Sequence, residues 1–475
     1  MTEKQTYYGR WFFPTGVSSE DIMQYEGTLK IDEDNHCVLT IQGELRVGGN
    51  LLEQIDVSWG IDKRGNKYTL FGLYMSRWNV GYQMEYNAKY IIVGAHINSL
   101  DEPFFNECNV KFPYLQNWTE ASMIAIPHDY NKGVITIDYN QENVFLQGEL
   151  DDGIRYKVVD RTVCKLNQLE LSAKKATRYD IVSERLLSIS EFSNYIQEFA
   201  QFLSLALFSK QQPTAITFRK KGEDSVIQML FVASSSHKPG TTPLIPITTL
   251  KERIPIFIKR FHSIYDKIET LTRYLITSLH VGDFDAPIFI IVAQALEGYY
   301  QRFLKGTAGV SNKKWEALIN RFKDIEAVKN CTMNADLIKD TRDKYSHLYD
   351  DEPKEHNIPT GKDLLYLTQK CKILLTCCIM EQIGMTHDEI NTSINGSEVR
   401  FIEYNVMKYE TQKKMKIVYN GNQGKELRAG YRDLPPQRRR LYQRRPKHLR
   451  QEAGYRYACA VAVHSGHAAE GVATL

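Results

Sequence analysis

Apolar and polar positions alternate along the first third of the chain. Runs such as "GTLKIDEDNHCVLTIQGEL", "KYTLFGLYM", "AKYIIVGAHINS", "NVKFPYL", "GVITIDYNQENVFLQGEL" and "IRYKVVDRTVCKL" carry β-branched and aromatic residues at every second place, and Asp, Asn and Gly break them. This period predicts antiparallel strands from Tyr7 to about Leu166, with hairpin loops at residues 32–36 and 139–143. Near Arg178 the period lengthens. The stretch "SERLLSISEFSNYIQEFAQFLSLAL" spaces apolar residues three and four apart and predicts a helix capped by Ser183. Two short strands around a Gly turn follow, then a Pro/Ser/Thr-rich connector ending near Pro246. From Thr249 to Ile383 the spacing is helical, in segments 250–280, 285–306, 312–323, 334–350 and 361–383, which short loops would join into an antiparallel bundle. After Met385 the pattern turns irregular.

The predicted class is an α+β multidomain chain: a β-rich domain over 1–166, a mixed connecting region over 167–248, an all-α bundle over 249–384 and an extension over 385–475. Hydrophobic residues at 43% and charged residues at 25% are those of an ordinary folded protein. No apolar run reaches the roughly 18 residues that cross a bilayer, and the N-terminus lacks a signal-peptide layout, so a cytoplasmic protein with no membrane partner is expected. The cysteines are scattered without a CxxC pair, and His36, His96 and His128 stand at no ligand spacing. With no metal or nucleotide motif, no cofactor is expected. "LLTCCIM" places Cys377 and Cys378 on a buried helix as small hydrophobes.

The net charge of +3 gains meaning from its distribution, because the excess sits in "KELRAGYRDLPPQRRRLYQRRPKHLR". Arg interleaved with Tyr suits an RNA-binding arm. A solvated tail, or a segment foreign to the rest of the chain, accounts for the same composition.

The densest patch of chemically capable side chains is "DTRDKYSHLYDD", residues 340–351. Residues five apart on a helix point about 140° apart, so Arg342 and His347 converge only near a helix end. Asp350, Asp351 and Pro353 supply that end and leave His347 in the last turn. Arg presents a permanently charged planar fork to phosphate oxygens, and His exchanges protons near neutrality. Together they form a minimal kit for attack by a ribose 2′-hydroxyl on its own phosphate. Arg342 in a surface ion pair and His347 half-buried at a helix end explain the same residues without chemistry. An upstream apolar helix carries one acidic residue, Glu297.

"RDKYSH" resembles the R-polar-x(3–5)-H motif of HEPN domains, and "IVAQALEGYYQRF" resembles the HEPN helix whose Glu lies near it. "YYGRWFFP", "YIIVGAHIN" and "VKFPYLQNW" resemble the N-terminal domain of ApeA-type anti-phage defence proteins. The resemblance covers residues 7 to 383. It implies a HEPN endoribonuclease of abortive infection that cleaves tRNA at the anticodon when the β-rich domain senses a phage protein. It also implies a homodimer or larger homo-oligomer. Within it, Arg342 maps to phosphate binding, His347 to proton transfer and Asp343 to positioning of both; Glu297 maps to a carboxylate that tethers Arg342 or tunes His347, against a surface pairing with Arg302 or Lys305, and Tyr345 to a base-stacking ring, against a packing residue. Two further readings stand beside it. One is a non-catalytic HEPN module binding RNA or protein. The other is a carbohydrate-binding β domain, which needs several of Trp11, Trp59, Trp78 and Trp118 exposed in one row.

Overall fold

A computed structural model of the chain describes residues 5–14, 22–47, 49–119, 128–129, 134–135, 142–150, 153–166, 171–279, 286–304, 311–347 and 358–430. The predicted hairpin loop at 139–143 lies largely outside these residues, as does the Arg-rich tail beyond Gly430. The chain divides into two compact units, Met1–Met407 and Lys408–Leu475. Of the second, the described part is the latter portion of the Val399–Gly430 helix.

The alternating runs form strands, and their pairing closes on itself. Gln5–Pro14, Ile22–Ile31, Cys37–Gln42, Gln83–Ala88, Lys67–Asn79 and Gln54–Asp62 pair in that cyclic order, all antiparallel, into a six-stranded barrel. Its inward positions, among them Phe13, Leu39, Ile41, Leu70 and Tyr86, make a separate core. The indole of Trp11 fills the space above two glycines on neighbouring strands, Gly27 and its cross-strand partner Gly60. The predicted loop at 32–36 is a tight turn, in which Asp32 Oδ1 accepts from the amides of Asp34 and His36.

Lys67–Asn79 belongs to two sheets. Its first half lies between Tyr90–Val93 and Gln54–Asp62, and its second half pairs with Gln83–Ala88 to complete the barrel. The change falls at Gly72, whose φ of +60° is a conformation that favours glycine. From Tyr90–Val93 the sheet runs on through Ile227–Leu230, Ala215–Arg219, Phe105–Lys111, Leu171–Leu187, Ile154–Leu166 and Glu142–Glu149. The expected divide after residue 166 therefore falls inside a hairpin that pairs from Ile154 with Ser183 to Leu166 with Leu171.

Ser183 is a strand residue, not a helix cap. Tyr179, Ile181 and Ser183 are buried within a strand that runs on to Leu187. The cap is Ser188, five residues later, in a reciprocal capping box with Glu191 that opens the Ile189–Ala206 helix. That helix packs its buried face on the sheet, with the Phe199 ring stacked 3.7 Å from that of Tyr179.

The helical segments follow. The 250–280 stretch is two helices, Ile254–Ser263 and Tyr265–Ser278, with Pro255 in the first turn of the former. Ala286–Tyr299 comes next and widens into a π-helical turn over Tyr300–Leu304. Ser311–Arg321, Ala335–His347 and Gly361–Gln382 complete the predicted set. Cys377 and Cys378 are fully buried. The stretch after Met385 is helical rather than irregular. Thr386 and Glu389 form a capping box for His387–Asn395, whose Ile390 and Ile394 enter the core. One continuous core joins the long sheet, the Ile189–Ala206 helix and the bundle. No described helix is long and apolar enough to cross a membrane.

The tryptophans do not form an exposed row. Trp11 and Trp118 are fully buried, Trp59 donates to the Ile97 carbonyl, and Trp78 is exposed.

A Cβ at Gly60 would lie 2.1 Å from the Trp11 ring. Gly60→Ala is expected to displace the indole and cost about 1–3 kcal/mol in denaturant unfolding. At the sheet edge, the hydrogen bond from Arg178 holds the Glu142 carboxyl below its ordinary value of 4.5, with Lys157 adding to the effect. A depressed folded value means stability that is present above the ordinary value and lost as pH falls through the folded one. Glu142→Gln should therefore destabilise the protein at neutral pH, and the difference from the native chain should shrink progressively as the pH is lowered below 4.5 in pH-resolved unfolding.

Candidate active site

Ala286–Tyr299 is apolar almost throughout and is buried by the helices around it. Its one acidic side chain, Glu297, stands at its end, just before the π-helical turn, a feature often found at functional sites. Gly298 lets the neighbouring Tyr265–Ser278 helix approach closely, since an added Cβ would sit 3.3 Å from Leu271 Cδ2.

Ala335–His347 crosses beside it. Asn334 opens this helix, its side-chain carbonyl accepting from Leu337 N. Ile338 and Thr341 are buried, and Tyr345 packs partly buried on the core, which puts Arg342 on the inner flank of the same stripe. Tyr345 donates its hydroxyl to the Pro359 carbonyl at 2.9 Å, and burial pushes its pKa up. In this structure it is therefore a packing residue.

Arg342 Nη2 lies 2.9 Å from Glu297 Oε2, and Nη1 lies 3.1 Å from Asp343 Oδ1. The three side chains are 25%, 19% and 24% exposed, partly desolvated yet within reach of a ligand. Of the two readings of Glu297, the tether to Arg342 is the one observed, while Arg302 donates to the Lys267 carbonyl. His347 is the last described residue of this helix. Its side chain lies outside the described ones.

Sequence reasoning passed over Ser346, one turn on from Arg342. Its hydroxyl and Arg342 Nε are both buried and lack a hydrogen-bond partner among the described residues. Two unsatisfied polar atoms on one helical flank suit a phosphate oxygen or an ordered water. The i, i+4 spacing from Arg342 was the available signal.

A second polar cluster ties the bundle together elsewhere. Glu381 Oε2 accepts from Tyr299 Oη at 2.9 Å and Arg321 Nε at 2.8 Å, and His387 Nδ1 lies 2.7 Å from Asp324. Burial pushes the Tyr299 hydroxyl well up, so it stays a donor; the bond from His387 holds Asp324 low. His36 pairs with Asp32, and His96 Nε2 meets the Gly60 carbonyl. The side chain of His128 lies outside the described ones.

Arg342 is braced by carboxylates from its own helix and from a packed neighbour, and residues 290–389 match the Apea-like HEPN model. Residues 6–260 match ApeA N-terminal domain 1, more than half of the sequence, and the chain accordingly belongs to the ApeA family of anti-phage defence HEPN proteins. HEPN domains as a class are associated with ribonuclease activity and RNA binding. No curated protein and no solved structure matches the chain.

Removing Glu297 leaves a partly desolvated guanidinium with one carboxylate. Glu297→Ala is expected to destabilise the chain by about 1–2 kcal/mol, between the values for surface and buried pairs, in chemical denaturation.

Proposed function

We propose that this protein is a metal-independent endoribonuclease of abortive infection, cutting tRNA in the anticodon loop once the β-rich N-terminal domain has sensed a phage protein. The observation that carries the proposal is the Glu297–Arg342–Asp343 cluster joining two helices, with His347 on one of them.

In this mechanism Arg342 holds the scissile phosphate and offsets the charge that builds on it. The ribose 2′-oxygen attacks phosphorus and the bond to the 5′-oxygen breaks, giving a cyclic phosphate and a free 5′-hydroxyl. His347 takes the 2′-hydroxyl proton or delivers one to the leaving oxygen. Asp343 positions both residues, and Glu297 fixes the guanidinium. In a homodimer the Arg342 and His347 of a second copy reach the same cleft.

Purified protein mixed with total RNA, EDTA and a phage lysate provides the test. Cleavage should persist in EDTA and fall at least about 100-fold in Arg342→Ala and in His347→Ala. Sequencing of the RNA ends should place cuts in anticodon loops. Undiminished cleavage by the double variant would sink the site assignment, and inactivity under every condition would point to a binding module.

A further inference from the structure

Away from the HEPN site, a groove of about 780 Å³ lies between the Ile189–Ala206 helix, the strands Tyr90–Val93, Ala215–Arg219 and Ile227–Leu230, and the Tyr265–Ser278 helix. That volume falls within the roughly 300–1,000 Å³ of small-molecule sites. Its walls differ in chemistry. Tyr90 and Phe231 form an aromatic end, which they share with an adjoining groove of about 640 Å³. Asn194, Gln197 and Gln201 present amides along one helix. The ionised side chains on the wall are Lys210 and Arg273, and no Asp or Glu lines it among the described residues. Glu269 stands behind, 3.2 Å from Arg273.

Gln201 adds a second observation. Its Nε2 donates to Tyr265 Oη at 3.0 Å and to Glu269 Oε1 at 3.4 Å. A carboxylate only accepts, so the amide orientation is fixed. That leaves Gln201 Oε1 buried without a partner among the described residues, an acceptor that a ligand N–H or O–H would satisfy.

The groove also touches the bundle's centre. Arg273, Ile276 and Thr277 line it from the Tyr265–Ser278 helix. The same helix sets Leu271 against Gly298, the neighbour of Glu297, and accepts the Arg302 hydrogen bond at Lys267.

From an aromatic end, a row of amides and an excess of cations, we infer that this groove binds a mononucleotide as a regulatory ligand. The base lies against Tyr90 and Phe231, and the phosphates face Lys210 and Arg273. The ligand shifts the Tyr265–Ser278 helix, which packs against Gly298 beside Glu297. The binding half stands apart from the proposed nuclease activity; the regulatory half rests on that reading of the site.

The test uses the full chain carrying His347→Ala, so no cleavage is needed for readout. Calorimetric titration with ATP, GTP, AMP and inorganic phosphate should give saturable binding of at least one nucleotide. Lys210→Ala and Arg273→Ala should each weaken it about tenfold, and Lys210→Arg should retain it. Hydrogen exchange with the nucleotide bound should slow in both Tyr265–Ser278 and Ala286–Tyr299. Absence of nucleotide binding, binding indifferent to Lys210 and Arg273, or equal binding of inorganic phosphate alone would overturn the site. Exchange changes confined to the groove strands would overturn its regulatory role.

Discussion

Burial of the Ala286–Tyr299 helix constrains the whole bundle. A helix apolar on every face is stable in water only if neighbours surround it. Tyr265–Ser278, Ala335–His347 and Gly361–Gln382 supply that cover, and Leu296, Phe289 and Val292 are inaccessible within it. Its one carboxylate sits where the cover ends and must be met by a cation. Arg342 is that cation. The ion pair at the candidate site is thus a direct outcome of how the most hydrophobic element ends.

The β-rich part obeys a related constraint. Its barrel has a core of its own, whereas the long sheet shares a core with the helices. Trp118 makes the dependence concrete: its indole N–H donates to the carbonyl of Ile245, in the connector that leads into the bundle. Burial of the sheet's helical face therefore relies on residues more than a hundred positions away. The match to ApeA N-terminal domain 1, reaching residue 260, agrees with a β-rich part extending well past Leu166.

Much of this was legible in the sequence. Periods of two and of three to four gave strands and helices near their observed places, because each period reports which face of an element meets the core. Three features were harder to read. Barrel closure depends on Gln5–Pro14 pairing with Gln54–Asp62 and Cys37–Gln42 with Gln83–Ala88, a non-local fact that no local pattern carries. The capping site moved from Ser183 to Ser188 because both precede apolar residues, and only the reciprocal bond from Glu191 separates them. The nine-residue helix after Met385 is too short to establish a period, although Thr386 and Glu389 mark its start. At the candidate site, the spacing of Arg342 and His347 was visible, and so was Glu297 as a carboxylate near the motif. That Glu297 and not Asp340 or Glu316 reaches the guanidinium follows from helix packing, which sequence spacing does not encode.

The glycine bend at residue 72 has a mechanical meaning. One continuous strand serves as a wall of the barrel and as a rib of the sheet behind the helices. Sliding it by a single residue would turn every side chain to the opposite face, burying polar groups in both layers at once, so translation along its axis is closed off. What remains is rotation about the bend, where no Cβ restricts the backbone. The strand thereby holds the barrel in register with the layer against which the helices are packed.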